Sequence, residues 1–166
     1  MSNKTTPKDE LKLIRMNEVE ATVIDWLRYP YIPFGKITVI QGDPGDGKTT
    51  AVLAIAAALT TGVALPEAKT VAEPMCVIFQ TAEDGLSDTV KPRLEQSGAD
   101  CGRVIVIDES ERELSLSDLR IEQAITQTGA KLFILDPLQA YLGADVDMHR
   151  ANEIRPVLKR ISLYAS

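Results

Sequence analysis

The chain has 166 residues, 45% of them apolar, and a formal net charge of −6. That length and apolar share suffice for one globular domain with a substantial core, and the acidic balance excludes a global attraction to nucleic acid while leaving room for a local basic patch. No run approaches the roughly 18 apolar residues of a membrane span and MSNKTTPKDE lacks a secretion signal's basic-then-apolar order, so a cytoplasmic protein without a membrane partner is expected. Cys76 and Cys101 have no histidine or second thiol at ligand spacing, which argues against both a metal site and a disulfide framework.

Residues 1–13 are polar and aperiodic and read as a mobile tail, with a single domain over 14–166. From Leu13 to Pro33 a mixed run closed by Pro30 and Pro33 predicts one short strand or helix at the domain edge. Ile37–Ile40 reads as a short buried strand. Lys48–Thr61, with AVLAIAAAL inside it, reads as a helix apolar on nearly every side and therefore covered on most of its surface. The alternation repeats: a strand over Met75–Gln80, a helix over Ser87–Gln96 with Pro92 in its first turns, and a strand over Val104–Ile107. Ser117 is placed to cap a helix to Gln127 with Gly129 as its stop, and Leu132–Leu135 forms a fourth strand. Short apolar runs separated by helices predict an α/β fold with a mainly parallel sheet covered on both faces. Asn152–Ala165 has helical spacing and no stop signal, which predicts that the core continues past Ser166.

Between the first strand and its helix stands GDPGDGKT, which fits G-x-x-x-x-G-K-[ST] at every fixed position and lies in the strand-to-helix context that the pattern requires. Gly42, Asp43, Pro44, Gly45, Asp46 and Gly47 form a loop whose backbone N–H groups can turn inward around phosphate, a curvature that side chains obstruct. The helix that follows adds unpaired N–H groups and a positive dipole end. Lys48 is the candidate for the β and γ phosphates of a bound triphosphate, Thr49 supplies a hydroxyl for Mg2+, and Thr50 completes the binding stretch.

Two acidic positions could complete a hydrolysis site. In LFILDPLQAY, Asp136 ends a buried strand, on the edge where parallel sheets gather ligands, and is a candidate to hold the magnesium shell; it could instead cap a helix ahead of Pro137. In VIFQTAEDG, Glu83 and Asp84 follow the second strand, where one carboxylate could activate water; they could equally be acids favoured by a helix N-terminus. Asp145, Asp147 and His149 lie in a polar stretch read as a loop, without a calcium loop's glycine and terminal glutamate. Trp26 and Tyr141 read as isolated aromatics that offer no base-stacking platform.

Taken together, GDPGDGKT, TAED and DPLQAY resemble the RecA-like P-loop ATPases, most closely the RepA-like hexameric replicative helicases, over about residues 32–163. The resemblance implies ATP hydrolysis with Mg2+, Glu83 as catalytic base beside Lys48, Asp136 with Thr49 at the metal, and Arg93 near the site. It also implies single-stranded DNA as a partner and a homo-hexamer as the assembly. A non-helicase RecA-like ATPase is the alternative, and a small-molecule kinase shares the cradle but gives no account of TAED followed by DPLQAY. In the family a strand bearing a polar sensor residue lies between the strand before the cradle and the one ending in Asp136, and a later arginine reaches the neighbouring subunit. Neither has a match here, so an incomplete core is expected, with turnover by this piece in question.

Overall fold

The computed structural model describes residues 11–65 and 73–142. A two-stranded antiparallel hairpin, β1 (Trp26–Arg28) and β2 (Ile32–Pro33), precedes the glycine loop and α1 (Lys48–Thr61). Then come β3 (Val77–Thr81), a wide turn at Leu86–Val90 running into α2 (Lys91–Gln96), β4 (Val104–Ile105), α3 (Leu119–Thr128) and β5 (Leu132–Asp136). The strands β4, β3 and β5 form a parallel sheet in that order, with β3 in the centre. The α/β class and parallel sheet expected from the pattern are therefore present.

Alternation along the strands divides the core into two layers. Val77 and Phe79 of β3 pack with Leu53, Ile55, Ala56 and Leu59 of α1 and with Leu94 of α2, and Leu132 and Ile134 of β5 join that layer. Phe133 and Leu135 point the other way, toward Leu114, Leu116, Ile121 of α3, Tyr141 and Leu142. Val77, Ile78 and Phe79 are fully buried. A central strand covered on both faces thus explains why VIF is an unbroken apolar run.

α1 has the predicted bounds. It starts after Gly47 and stops at Gly62, both in the left-handed conformation that glycine tolerates best (φ 79° and 74°), and Gly62 N–H closes onto the carbonyls of Ala58 and Leu59. Its apolarity overstates its cover, because Ala51 and Ala54 face outward. Alanine in those places reflects helix propensity rather than burial.

Other expectations need correction. Ile37–Ile40 is not a strand: it has no ladder partner among the described residues, and Ile37, Val39 and Ile40 are 39%, 64% and 48% exposed. Its apolar run can become a strand only beside another backbone, and none pairs with it among the described residues. β4 is shorter than Val104–Ile107 because a side chain takes over its pairing beyond Ile105, as described below. The α3 cap is Asp118 rather than Ser117; the aspartate carboxylate accepts the Arg120 N–H at 3.0 Å. Trp26 is not isolated either, since its ring meets Tyr29 edge to face at 5.4 Å, whereas Tyr141 is buried. The expected helix at Asn152–Ala165 and the loop holding Asp145, Asp147 and His149 lie outside the described residues. No helix among those described is long and apolar enough to cross a membrane.

Candidate nucleotide site

The glycine loop builds its own curvature. Gly45 has φ 92°, the Asp46 N–H bonds the Asp43 carbonyl at 3.2 Å, and the Asp46 carboxylate accepts the Asp43 N–H at 2.7 Å. A Cβ on Gly42 would meet that carboxylate at 2.7 Å, so the Asp46 side chain would have to move to admit one. Lys48 curls back over the loop and its ammonium donates to the carbonyls of Gly42 and Asp43 at 2.9 and 2.6 Å. Its positive charge is thereby held above the cradle. Pro44 and Gly47 complete the turn, and Thr50 lies one residue into α1 beyond Thr49, on an exposed face.

One contact joins the cradle to the sheet. The Thr49 hydroxyl donates to the Asp136 carboxylate at 2.7 Å, across 87 residues of sequence. Asp136 is the last residue of β5 and so is not a helix cap; the turn after it, Leu138–Tyr141, starts from Pro137. The paired hydroxyl and carboxylate are hard oxygen donors at the start of a helix, which is the donor chemistry that Mg2+ takes.

The acids after β3 reach the same edge. Thr81 pairs with Asp136 in the β3–β5 ladder, and the Ala82 N–H bonds the Asp136 carbonyl at 3.3 Å. Glu83 follows immediately, with an exposed side chain. The Thr81 hydroxyl accepts the backbone N–H groups of Glu83 and Asp84 at 3.4 and 3.2 Å, bending the chain out of the strand. Arg93 of α2 reaches Asp84 at 3.5 Å rather than Glu83. Lys48, Thr49, Asp136 and Glu83 therefore stand at the ends of elements that meet at one sheet edge, and Arg93 is tied to the edge through Asp84.

Sequence reasoning passed over the residues behind this edge. Gln80 is 1% exposed, and its side-chain amide imitates a peptide group: the oxygen accepts the Ile107 N–H at 2.8 Å and the nitrogen donates to the Ile107 carbonyl at 3.0 Å. The same nitrogen bonds the Glu109 carboxylate, whose second oxygen accepts the Leu114 N–H at 2.9 Å. This side chain continues β3–β4 pairing where the two backbones part. A glutamine inside VIFQT was the available signal, because a polar residue in a buried strand must find partners.

The loop from Asp108 to Ser117 is tied down by a second cluster. Arg120 donates to the carbonyls of Asp108, Arg112 and Glu113 at 3.1, 3.0 and 2.9 Å and to the buried Asp118 carboxylate, which also pairs with Arg112. The Arg120 hydrogen bond holds the Asp118 carboxyl well below the usual range despite its burial, with the Arg120 N–H and Arg112 adding to the effect. Asp118 likewise raises the Arg120 pKa through their hydrogen bond. Asp108 is lowered by the Ser110 N–H. Beside the loop, burial first and the Glu109 charge second push the Tyr141 hydroxyl up.

A family model described as "AAA domain" matches residues 5–165. No curated protein matches the chain.

Proposed function

The chain belongs to the AAA-domain family of P-loop ATPases, and from that premise we propose that it binds ATP with Mg2+ and hydrolyses it as part of a ring-forming, single-stranded-DNA-dependent motor of the replicative helicase type. The observation that carries the proposed site is the 2.7 Å hydrogen bond from Thr49 to Asp136, which brings the cradle and the sheet's acidic edge to one point.

In this reading the loop amides and Lys48 bind the triphosphate and hold it still, which removes the entropy of approach from the reaction. Lys48 is already aimed over the loop by its two carbonyl contacts and exchanges them for phosphate oxygens. Thr49 and Asp136 would hold the cation, which offsets charge on the phosphates. Glu83 orients a water in line with the γ-phosphorus and accepts its proton as the new P–O bond forms and the bond to ADP breaks. The Thr81 contacts to the Glu83 and Asp84 amides support its position.

Replacing Glu83 by glutamine is expected to abolish phosphate release while nucleotide binding persists. Hydrolysis at an undiminished rate would remove Glu83 from the mechanism. Acceleration of phosphate release by single-stranded DNA separates the motor from an ATPase that acts on protein partners.

A further inference from the structure

The β1–β2 hairpin and the segment after it form a surface unlike the rest of the molecule. Trp26, Tyr29, Tyr31 and Phe34 are half of the chain's aromatic residues, and from Trp26 to Gly42 the only charged residues are Arg28 and Lys36. That stretch, flanked by Asp25 and Asp43, carries two cations and no carboxylate of its own in a chain of net charge −6. Its side chains are displayed rather than packed: Tyr29 and Tyr31 are each 59% exposed.

The scaffold beneath them is fixed. Leu27 is buried in the core layer against α1, with Ile32 packed beside it. The turn is closed by the Tyr31 N–H on the Arg28 carbonyl at 2.8 Å, and the Phe34 N–H bonds the Asp25 carbonyl at 2.9 Å. The Thr38 hydroxyl reaches the Tyr31 carbonyl at 3.3 Å, tying the hairpin to the segment that leads into the cradle. On this base the Arg28 guanidinium sits 5.3 Å from the Tyr31 ring centre, and Trp26 buttresses Tyr29 edge to face. The result is two presented aromatic rings, one of them with the Arg28 guanidinium beside it, and Asp25 at the foot of the hairpin.

We propose that this hairpin is a contact surface for single-stranded nucleic acid, with Tyr29 and Tyr31 stacking on bases and Arg28 and Lys36 meeting phosphates. Aromatic stacking together with cations is the chemistry that binds single strands without sequence preference. The proposal rests on the preceding reading only for the identity of the partner, and it does not require hydrolysis.

Trp26 is the chain's only tryptophan, so its fluorescence reports on the surface directly. Titration of the full chain with oligothymidylate, without ATP, is expected to give saturable quenching that weakens as salt rises. Tyr29→Ala and Tyr31→Ala should each weaken binding about tenfold. Tyr31→Phe should retain it, and Lys36→Ala should flatten the salt dependence. Tyr31→Leu keeps an apolar side chain without a stacking face, so it serves where the alanine variant loses its circular-dichroism signature. Absence of saturable quenching, or binding by Tyr31→Leu and Tyr29→Ala as tight as the unchanged chain's, overturns the proposal. Fluorescence that changes with protein concentration alone assigns the surface to a second copy and also overturns it. Phosphate release measured without oligonucleotide tests the hydrolysis reading separately, so the two can fail independently.

Discussion

The two sides of the nucleotide site are held in different ways. Asp136 and Thr81 belong to a ladder of five paired positions between β3 and β5, backed by fully buried Val77, Ile78 and Phe79. The cradle is reached through Ile37–Ile40, which is exposed and outside the sheet. It is held instead by its own loop hydrogen bonds, by α1 packing behind it and by Thr49. The acidic half is thus fixed by the sheet, and the phosphate half by a helix and one side-chain contact.

Substitutions probe that contrast. Phe79→Ala in the central strand should cost about 3–5 kcal/mol of unfolding free energy, measured by urea denaturation, since a fully buried ring leaves a cavity. A cost under about 1 kcal/mol would break the claim that the sheet fixes the acidic edge. Asp118→Ala should come next, at roughly 1–2 kcal/mol, because it removes the α3 cap and the anchor of Arg120. The sign with pH is set by the lowered pKa of Asp118: its contribution is complete above the ordinary carboxylate value of about 4 and is lost as pH falls from there through the folded value. The gap between Asp118→Ala and the unchanged chain should therefore narrow below about pH 4. A gap that widens on acidification would contradict the ion-paired carboxylate. Ile40→Ala should cost the least, within about 0.5 kcal/mol, as an exposed site outside the sheet. A penalty matching Phe79→Ala would place that segment in a packed layer and erase the contrast.

What was legible in the sequence follows the same division. Local signals were read well: the glycine pattern, α1 between Gly47 and Gly62, and the strand ending at Asp136 depend on neighbours along the chain. Ile37–Ile40 was misread because an apolar run becomes a strand only when another strand lies beside it, and periodicity carries no information about that partner. Val104–Ile107 came out short for a subtler reason. Gln80 satisfies both backbone groups of Ile107, so that residue leaves the ladder with its N–H and carbonyl still paired. Ser117 and Asp118 are both acceptable caps by type; the choice was decided by Arg120, two residues on, which bonds the aspartate. The aromatic hairpin was missed because Trp26, Tyr29 and Tyr31 alternate with proline and arginine, and only the turn between β1 and β2 gathers them.

The Thr49–Asp136 bond also has a meaning for how the chain assembles. Closing a loop of 87 residues yields nothing until both ends arrive. A slip of one residue in β5 would turn Asp136 to the opposite face of the sheet and out of reach of Thr49. The hydroxyl therefore reads the register of a strand far away in sequence, and a mispaired chain would carry an intact cradle without its acid. Formation of the Thr49–Asp136 pair is, in this sense, a proofreading of the fold.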